Sequence, residues 1–157
     1  MSTDLISKTR TVMLVAPTEH SGYSANTDGT EADIGSAREG LLIVCLDAGV
    51  EATDVLDNFA LYTDSASAFT AGTAASRVVL TQNVSDSVNA VTFTTSEVTA
   101  GFSSDGVYVF EAQDLKRYVN VQYDVNSDGT NAVSRYTVAL VTTNLGEAPY
   151  KPYTSAY

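Results

Sequence analysis

Apolar and polar positions alternate with a period close to two along almost the whole chain, and helical spacing is scarce. That pattern predicts an all-β protein. Candidate strands cover residues 11–16, 41–46, 58–63, 77–82, 90–95, 106–111, 117–125 and 135–142. About eight short strands separated by turn material predict an antiparallel two-sheet sandwich, jelly-roll-like, with extended terminal segments. The clearest strand is 117–125, with Val119, Val121, Tyr123 and Val125 on one face and Asn120, Gln122 and Asp124 on the other. After it come Asp128-Gly129, a hairpin signal, and the alternation of Tyr136, Val138 and Leu140, so an antiparallel hairpin is expected there. The run Leu41-Leu42-Ile43-Val44-Cys45-Leu46 does not alternate, which predicts a central strand covered on both faces. Residues 54–58 offer one helical turn at most.

The segments 65–76 and 85–89 are rich in Ser, Ala, Thr and Asn and read as surface loops. Residues 1–9 form a patternless N-terminal segment, 10–143 a single sandwich domain, and 144–157 a tail. Pro149 and Pro152 bar the tail from a central strand, so it is expected to be extended. Its tyrosines, Tyr150, Tyr153 and Tyr157, would waste apolar area in free solvent. The tail is therefore expected to pack on its own domain or on a neighbouring subunit.

A length of 157 residues suits one domain with a real core. Eight Lys and Arg against 19 Asp and Glu leave a formal net charge of -11, with no basic cluster to neutralise a phosphate backbone or sit on anionic lipid. Nucleic acid and membrane are thus not expected partners. The 44% apolar content, with 9 Tyr, 5 Phe and no Trp, separates the chain from disordered polyanions. No secretory signal or membrane-length apolar run is present, which predicts a soluble protein made in a cytoplasm.

Candidate chemistry is sparse. His20, the single histidine, stands in Glu19-His20-Ser21 and reads as a loop residue, because adjacency along the chain is not triad geometry. Cys45, the single cysteine, lies in the most apolar run, where burial raises a thiol pKa instead of activating it. One His and one Cys cannot make a tetrahedral metal set, and no glycine-rich phosphate loop opens a helix. Asp124, Asn126 and Asp128 match the first half of a calcium loop, but Arg135 stands where a bidentate Glu belongs, so local capping of the turn is the preferred reading. Asp47, Glu51, Asp54, Asp57 and Asp64 read as solvated surface. Lys116, Arg117 and Arg135 are expected to neutralise local carboxylates or meet an acidic patch on a partner. No catalytic residue, metal or cofactor is expected.

Several ordered features resemble a known family. They are Asp33-Ile34-Gly35 followed by Gly40-Leu41-Leu42-Ile43-Val44, then Asn58-Phe59-Ala60-Leu61-Tyr62-Thr63-Asp64 leading to Arg77-Val78-Val79-Leu80, and Lys116-Arg117-Tyr118-Val119-Asn120-Val121-Gln122-Tyr123 before a closing apolar strand. Together, over residues 32–142, they resemble the jelly-roll cement, or decoration, proteins of tailed-bacteriophage capsids, the group first defined in a Bordetella phage. The chain departs from that pattern in the Ala-containing segment 65–76 and in its Tyr-rich end. The resemblance implies a non-enzymatic virion protein on the outer capsid surface, made in the host cytoplasm. It would bridge neighbouring major capsid subunits and associate with sister copies as a dimer or trimer. On this reading Leu5, Ile6, Lys116, Arg117, Tyr150, Tyr153 and Tyr157 are the expected contact residues. A carbohydrate-binding or adhesion module is the competing expectation, with loops 65–76 and 124–130 forming its site and the lack of Trp counting against it.

Overall fold

The computed structural model describes residues 9–47, 55–70, 75–82, 92–93, 100–102, 105–126 and 133–143. Among them the regular elements are all strands: β1 (Thr9–Ser21), β2 (Tyr23–Asp28), β3 (Ala32–Asp33), β4 (Gly40–Asp47), β5 (Val55–Asp64), β6 (Ser76–Arg77), β7 (Leu80–Gln82), β8 (Thr92–Phe93), β9 (Ala100–Phe102), β10 (Gly106–Ala112), β11 (Tyr118–Asn126) and β12 (Val133–Thr143). They form two antiparallel sheets packed as a sandwich. The first runs β1-β12-β4-β10-β7; the second runs β2-β11-β5-β9-β8, with β3 also on β11 and β6 also on β5. Taking β1, β2, β4, β5, β9, β10, β11 and β12 as the principal strands, one sheet holds the first, eighth, third and sixth and the other the second, seventh, fourth and fifth. That is the winding of a jelly roll.

Alternation explains the core. Leu42, Val44 and Leu46 of β4, Tyr108 and Phe110 of β10, and Tyr136, Val138 and Leu140 of β12 point inward from the first sheet. Phe59 and Leu61 of β5, Phe102 of β9, and Val119, Val121, Tyr123 and Val125 of β11 meet them from the second. Aromatic edges tie the layers together. Phe102 packs edge-on against Tyr108 at 4.9 Å and Phe110 at 5.9 Å between ring centroids, and Tyr123 meets Tyr136 at 5.4 Å. Burial, helped by a hydrogen bond to Tyr136, pushes the Tyr123 hydroxyl well above the usual phenol range.

The sandwich agrees with the alternation, but several local expectations fail for identifiable reasons. Strands β11 and β12 do not form a hairpin. One edge of β11 is taken by β5 and the other by β2 and β3, while β12 lies between β1 and β4. The two strands face each other across the core, because alternation fixes which side of a strand is buried and leaves its neighbours open. The expected strand 77–82 is split: β6 pairs with β5 in the second sheet and β7 with β10 in the first. Buried Val78 makes the crossing, its N–H donating to the Leu61 carbonyl at 2.9 Å.

Residues 55–58 belong to β5 and make no helical turn. Here Gln122 faces Ala60 and Asp124 faces Asp57, so Asn58 and Phe59 together oppose Tyr123. This bulge puts Leu56 and Phe59 in the core three residues apart, the spacing that imitates a helix. Only Thr92–Phe93 of the expected strand 90–95 is described. β2 and β9 escape the sequence reading because Tyr23–Asp28 is mostly exposed and polar and Ala100–Phe102 is three residues long.

Candidate functional site

The residues singled out for chemistry are dispersed or already engaged. His20 is half-buried within strand β1, opposite Ser134, and is not a loop residue as expected. Its neighbour Glu19 accepts Arg135 Nε at 2.9 Å, and Asp47 receives Arg135 Nη1 at 3.5 Å. These bonds, Glu19 first, raise the Arg135 pKa. Asp57 accepts the Asn58 N–H at 2.8 Å. Asp64 takes the Ala66 N–H at 3.0 Å, a bond that lowers its pKa. Glu51 and Asp54 lie outside the described residues.

Asp124, the first member of the calcium pattern, stands in strand β11 and not in a loop. Its Oδ1 accepts the Asn26 N–H at 2.6 Å and its Oδ2 accepts Asn58 Nδ2 at 2.7 Å. Asn26 and Asn58 both adopt left-handed backbone, with φ of 51° and 48°. Asp124 thus pins irregular positions of β2 and β5 to β11. Asn126 ends β11, and Asp128 lies outside the described residues. Among the described residues no group of three His, Cys, Asp or Glu side chains is placed to hold a metal ion.

Lys116 and Arg117 sit where the chain enters β11. The Lys116 N–H donates to Thr63 Oγ1 at 2.7 Å and its Nζ lies 3.1 Å from Ser76 Oγ. Arg117 Nη2 reaches Asp33 Oδ2 at 2.9 Å, and its guanidinium carbon lies 5.2 Å from the Tyr118 ring centre. The Arg117 hydrogen bond holds the Asp33 carboxyl below the usual range, assisted by the Gly35 N–H, and Asp33 in turn raises the Arg117 pKa. With Arg38, whose Nη1 donates to the Leu115 carbonyl at 3.1 Å, these cations line a cleft of about 780 Å³. The remaining expected contact residues, Leu5, Ile6, Tyr150, Tyr153 and Tyr157, lie outside the described residues.

The largest anomaly is the outer face of the first sheet. Strand β4 is central, as its apolar run predicts, but its outward face is not covered among the described residues. Leu41 is 43% exposed, and Ile43 and Cys45 are half-buried. The register extends this row across neighbouring strands. Ala139 lies beside Ile43 and Val141 beside Leu41 on β12, and Val109 lies beside Ile43 and Val107 beside Cys45 on β10. On β1, Met13 faces Ala139. Met13, Val107 and Val109 are 46%, 53% and 42% exposed. Four strands about 4.8 Å apart therefore present an apolar band roughly 15 Å wide. One end is closed by Glu19, Arg135 and Asp47, beside a groove of about 550 Å³. Leu41, Val141, Glu39 and Glu111 line a second groove of about 340 Å³ at the other end.

The outer face of the second sheet carries apolar residues too, but these are covered. Ala60 and Tyr62 are buried beneath Phe69 and Ala75. Glu31 holds the covering segment down, accepting the Ala68 and Phe69 N–H groups at 3.1 and 3.2 Å. Part of the segment expected as an open binding loop therefore packs on its own sheet. The exposed band was missed although its signal was present: 41–46 and 107–110 carry apolar residues in both phases of the alternation. That excess marks apolar character on both faces without saying what covers the outer one.

Comparison with family models, curated proteins and solved structures finds no match to this chain.

Proposed function

We propose that this protein is a structural component of a virus particle. It is a capsid cement protein that binds the outer surface of a tailed-phage head, bridges neighbouring major capsid subunits and stabilises the shell. The observation that carries the reading is the apolar band Met13, Leu41, Val107 and Val109 on the outer face of the first sheet. A contiguous apolar patch rimmed by charge is a surface for protein contact. The jelly-roll winding and the strand patterns over residues 32–142 support the same reading.

In this role the protein catalyses no reaction and binds no cofactor. Its partners are the major capsid protein and sister copies, and it resides on the virion exterior. The formal net charge of -11 keeps decorated particles apart. Many copies on one lattice turn a modest contact into firm attachment.

Sedimentation of the purified protein with expanded capsids tests the reading. A double variant, Leu41→Asp with Val109→Asp, is expected to lower occupancy by at least about tenfold, as charges in the centre of an interface do. Absence of capsid binding by the unaltered protein overturns the reading, and binding to a glycan array instead moves the protein to the carbohydrate-binding class.

A further inference from the structure

The band on the first sheet has carboxylates at both ends, and their placement selects what can lie on it. We propose that this face binds a partner segment of apolar residues flanked by lysine or arginine, and that it disfavours a second copy of the chain. The inference rests on the capsid reading in taking the band as a contact face, and it adds the chemistry of what is contacted.

The placement of charge follows from the register. At one end of β4, Asp47 stands opposite Arg135, which stands opposite Glu19. Glu19 and Asp47 both bond to Arg135, at 2.9 and 3.5 Å, so two carboxylates share one guanidinium among the described residues. At the other end Glu111 stands opposite Leu41, and Glu39 lines the same groove. No Lys or Arg among the described residues lines that groove. Arg38, next to Glu39 in the chain, lines the separate cleft of Lys116 and Arg117. Arg10 stands opposite buried Thr142, in the inward phase of β1. The two acidic ends lie six residues apart on β4, from Leu41 to Asp47, or about 20 Å.

Charge then decides between occupants. In an aligned face-to-face pair of sheets, a second copy sets an acidic end over an acidic end whichever way round it lies. Each copy also carries a formal charge of -11. Like charges brought together across an apolar contact oppose that pairing. A segment with cations spaced to reach both ends meets opposite charge at each, while its apolar side chains rest on exposed Leu41, Val107 and Val109. The same complementarity fixes the register of the segment along the band.

Two peptide probes test the proposal. Acetyl-Lys-Thr-Val-Thr-Val-Thr-Lys-amide, when extended, puts two valines on one side between lysines about 20 Å apart, and its counterpart carries Glu at both ends. Half-buried Cys45, on the band between Thr137 and Val107, reports occupancy through its rate of alkylation by iodoacetamide, an uncharged reagent. The Lys-ended peptide is expected to slow alkylation at a concentration at least about tenfold below that needed of the Glu-ended peptide. Raising the salt to about 0.5 M should shrink that difference. A variant carrying Glu19→Gln, Glu39→Gln and Glu111→Gln, all at exposed positions, leaves Asp47 with Arg135 as a neutral pair, and the two peptides should then differ by less than about threefold. Equal potency on the unaltered protein, or no slowing by either peptide, overturns the proposal. Alkylation that slows as the protein itself is concentrated overturns it too, and assigns the face to a second copy. Sedimentation with capsids is read separately. Capsid binding without peptide discrimination removes this inference and leaves the cement reading standing, whereas discrimination without capsid binding upholds the partner chemistry and removes the capsid.

Discussion

The outer faces of the two sheets carry similar apolar side chains and treat them in opposite ways. On the second sheet Tyr62 and Ala60 lie under Phe69, and Glu31 fastens the covering segment by its backbone. On the first, Met13, Leu41, Val107 and Val109 stand exposed among the described residues. An apolar residue facing outward is therefore covered by the protein's own chain in one place and exposed among the described residues in the other. What separates the two is a short stretch of chain and one carboxylate.

The two faces should respond differently to substitution, beginning with the core they share. Phe102→Ala removes the ring that touches both Tyr108 and Phe110. It is expected to cost about 3–5 kcal/mol in urea unfolding and to weaken amide protection in both sheets alike. Tyr62→Ala, on the covered face, should cost about 2–4 kcal/mol, the behaviour of a core residue. Glu31→Gln should cost about 1–2 kcal/mol and raise hydrogen exchange first at the Ala68 and Phe69 amides. Val109→Ser on the open band should change stability by no more than about 0.5 kcal/mol. A loss for Val109→Ser as large as that for Tyr62→Ala would erase the distinction.

The smallest expected effect is that of acid. The carboxyls of Asp33 and Asp64 are held below the usual carboxylate range in the folded protein, the first chiefly by the Arg117 hydrogen bond and the second by the Ala66 N–H. Their stabilisation is complete above the unfolded value and is lost as pH falls through the lower folded values. Both groups belong to strands of the second sheet. Urea midpoints measured from about pH 6 down to about pH 3 should therefore decline at the acid end, and Asp33→Asn should flatten part of that decline.

Much of the fold was legible because alternation reports burial directly. The inward sets Val119, Val121, Tyr123 and Val125 on β11 and Tyr136, Val138 and Leu140 on β12 match the alternation of the sequence, although Asn120 on the other face of β11 is buried too. Partnership was not legible. The Asp128-Gly129 signal suggests a local hairpin between β11 and β12, whereas each strand has its neighbours far away in the chain. Bulges misled as well, since Asn58 adds one residue to β5 and shifts the pattern out of phase. For the candidate site, the excess of apolar residues in 41–46 and 107–110 was visible, but exposure is a property of what packs above a sheet. Glu31 shows this, because its role depends on a segment 37 residues further along the chain.

The pairing of β1 with β12 also governs how the molecule is made. Thr9 lies opposite Thr143, so the first described strand of the chain finds its partner in the last. During synthesis β1 waits unpaired while the chain up to β12 is produced, and the first sheet closes only when that final strand arrives. The register shifts of β1 between Met13 and Thr18, and Pro17 within them, interrupt the edge that β1 presents once it is paired with β12. The irregularities of β1 therefore work against edge-to-edge pairing after the first sheet has closed.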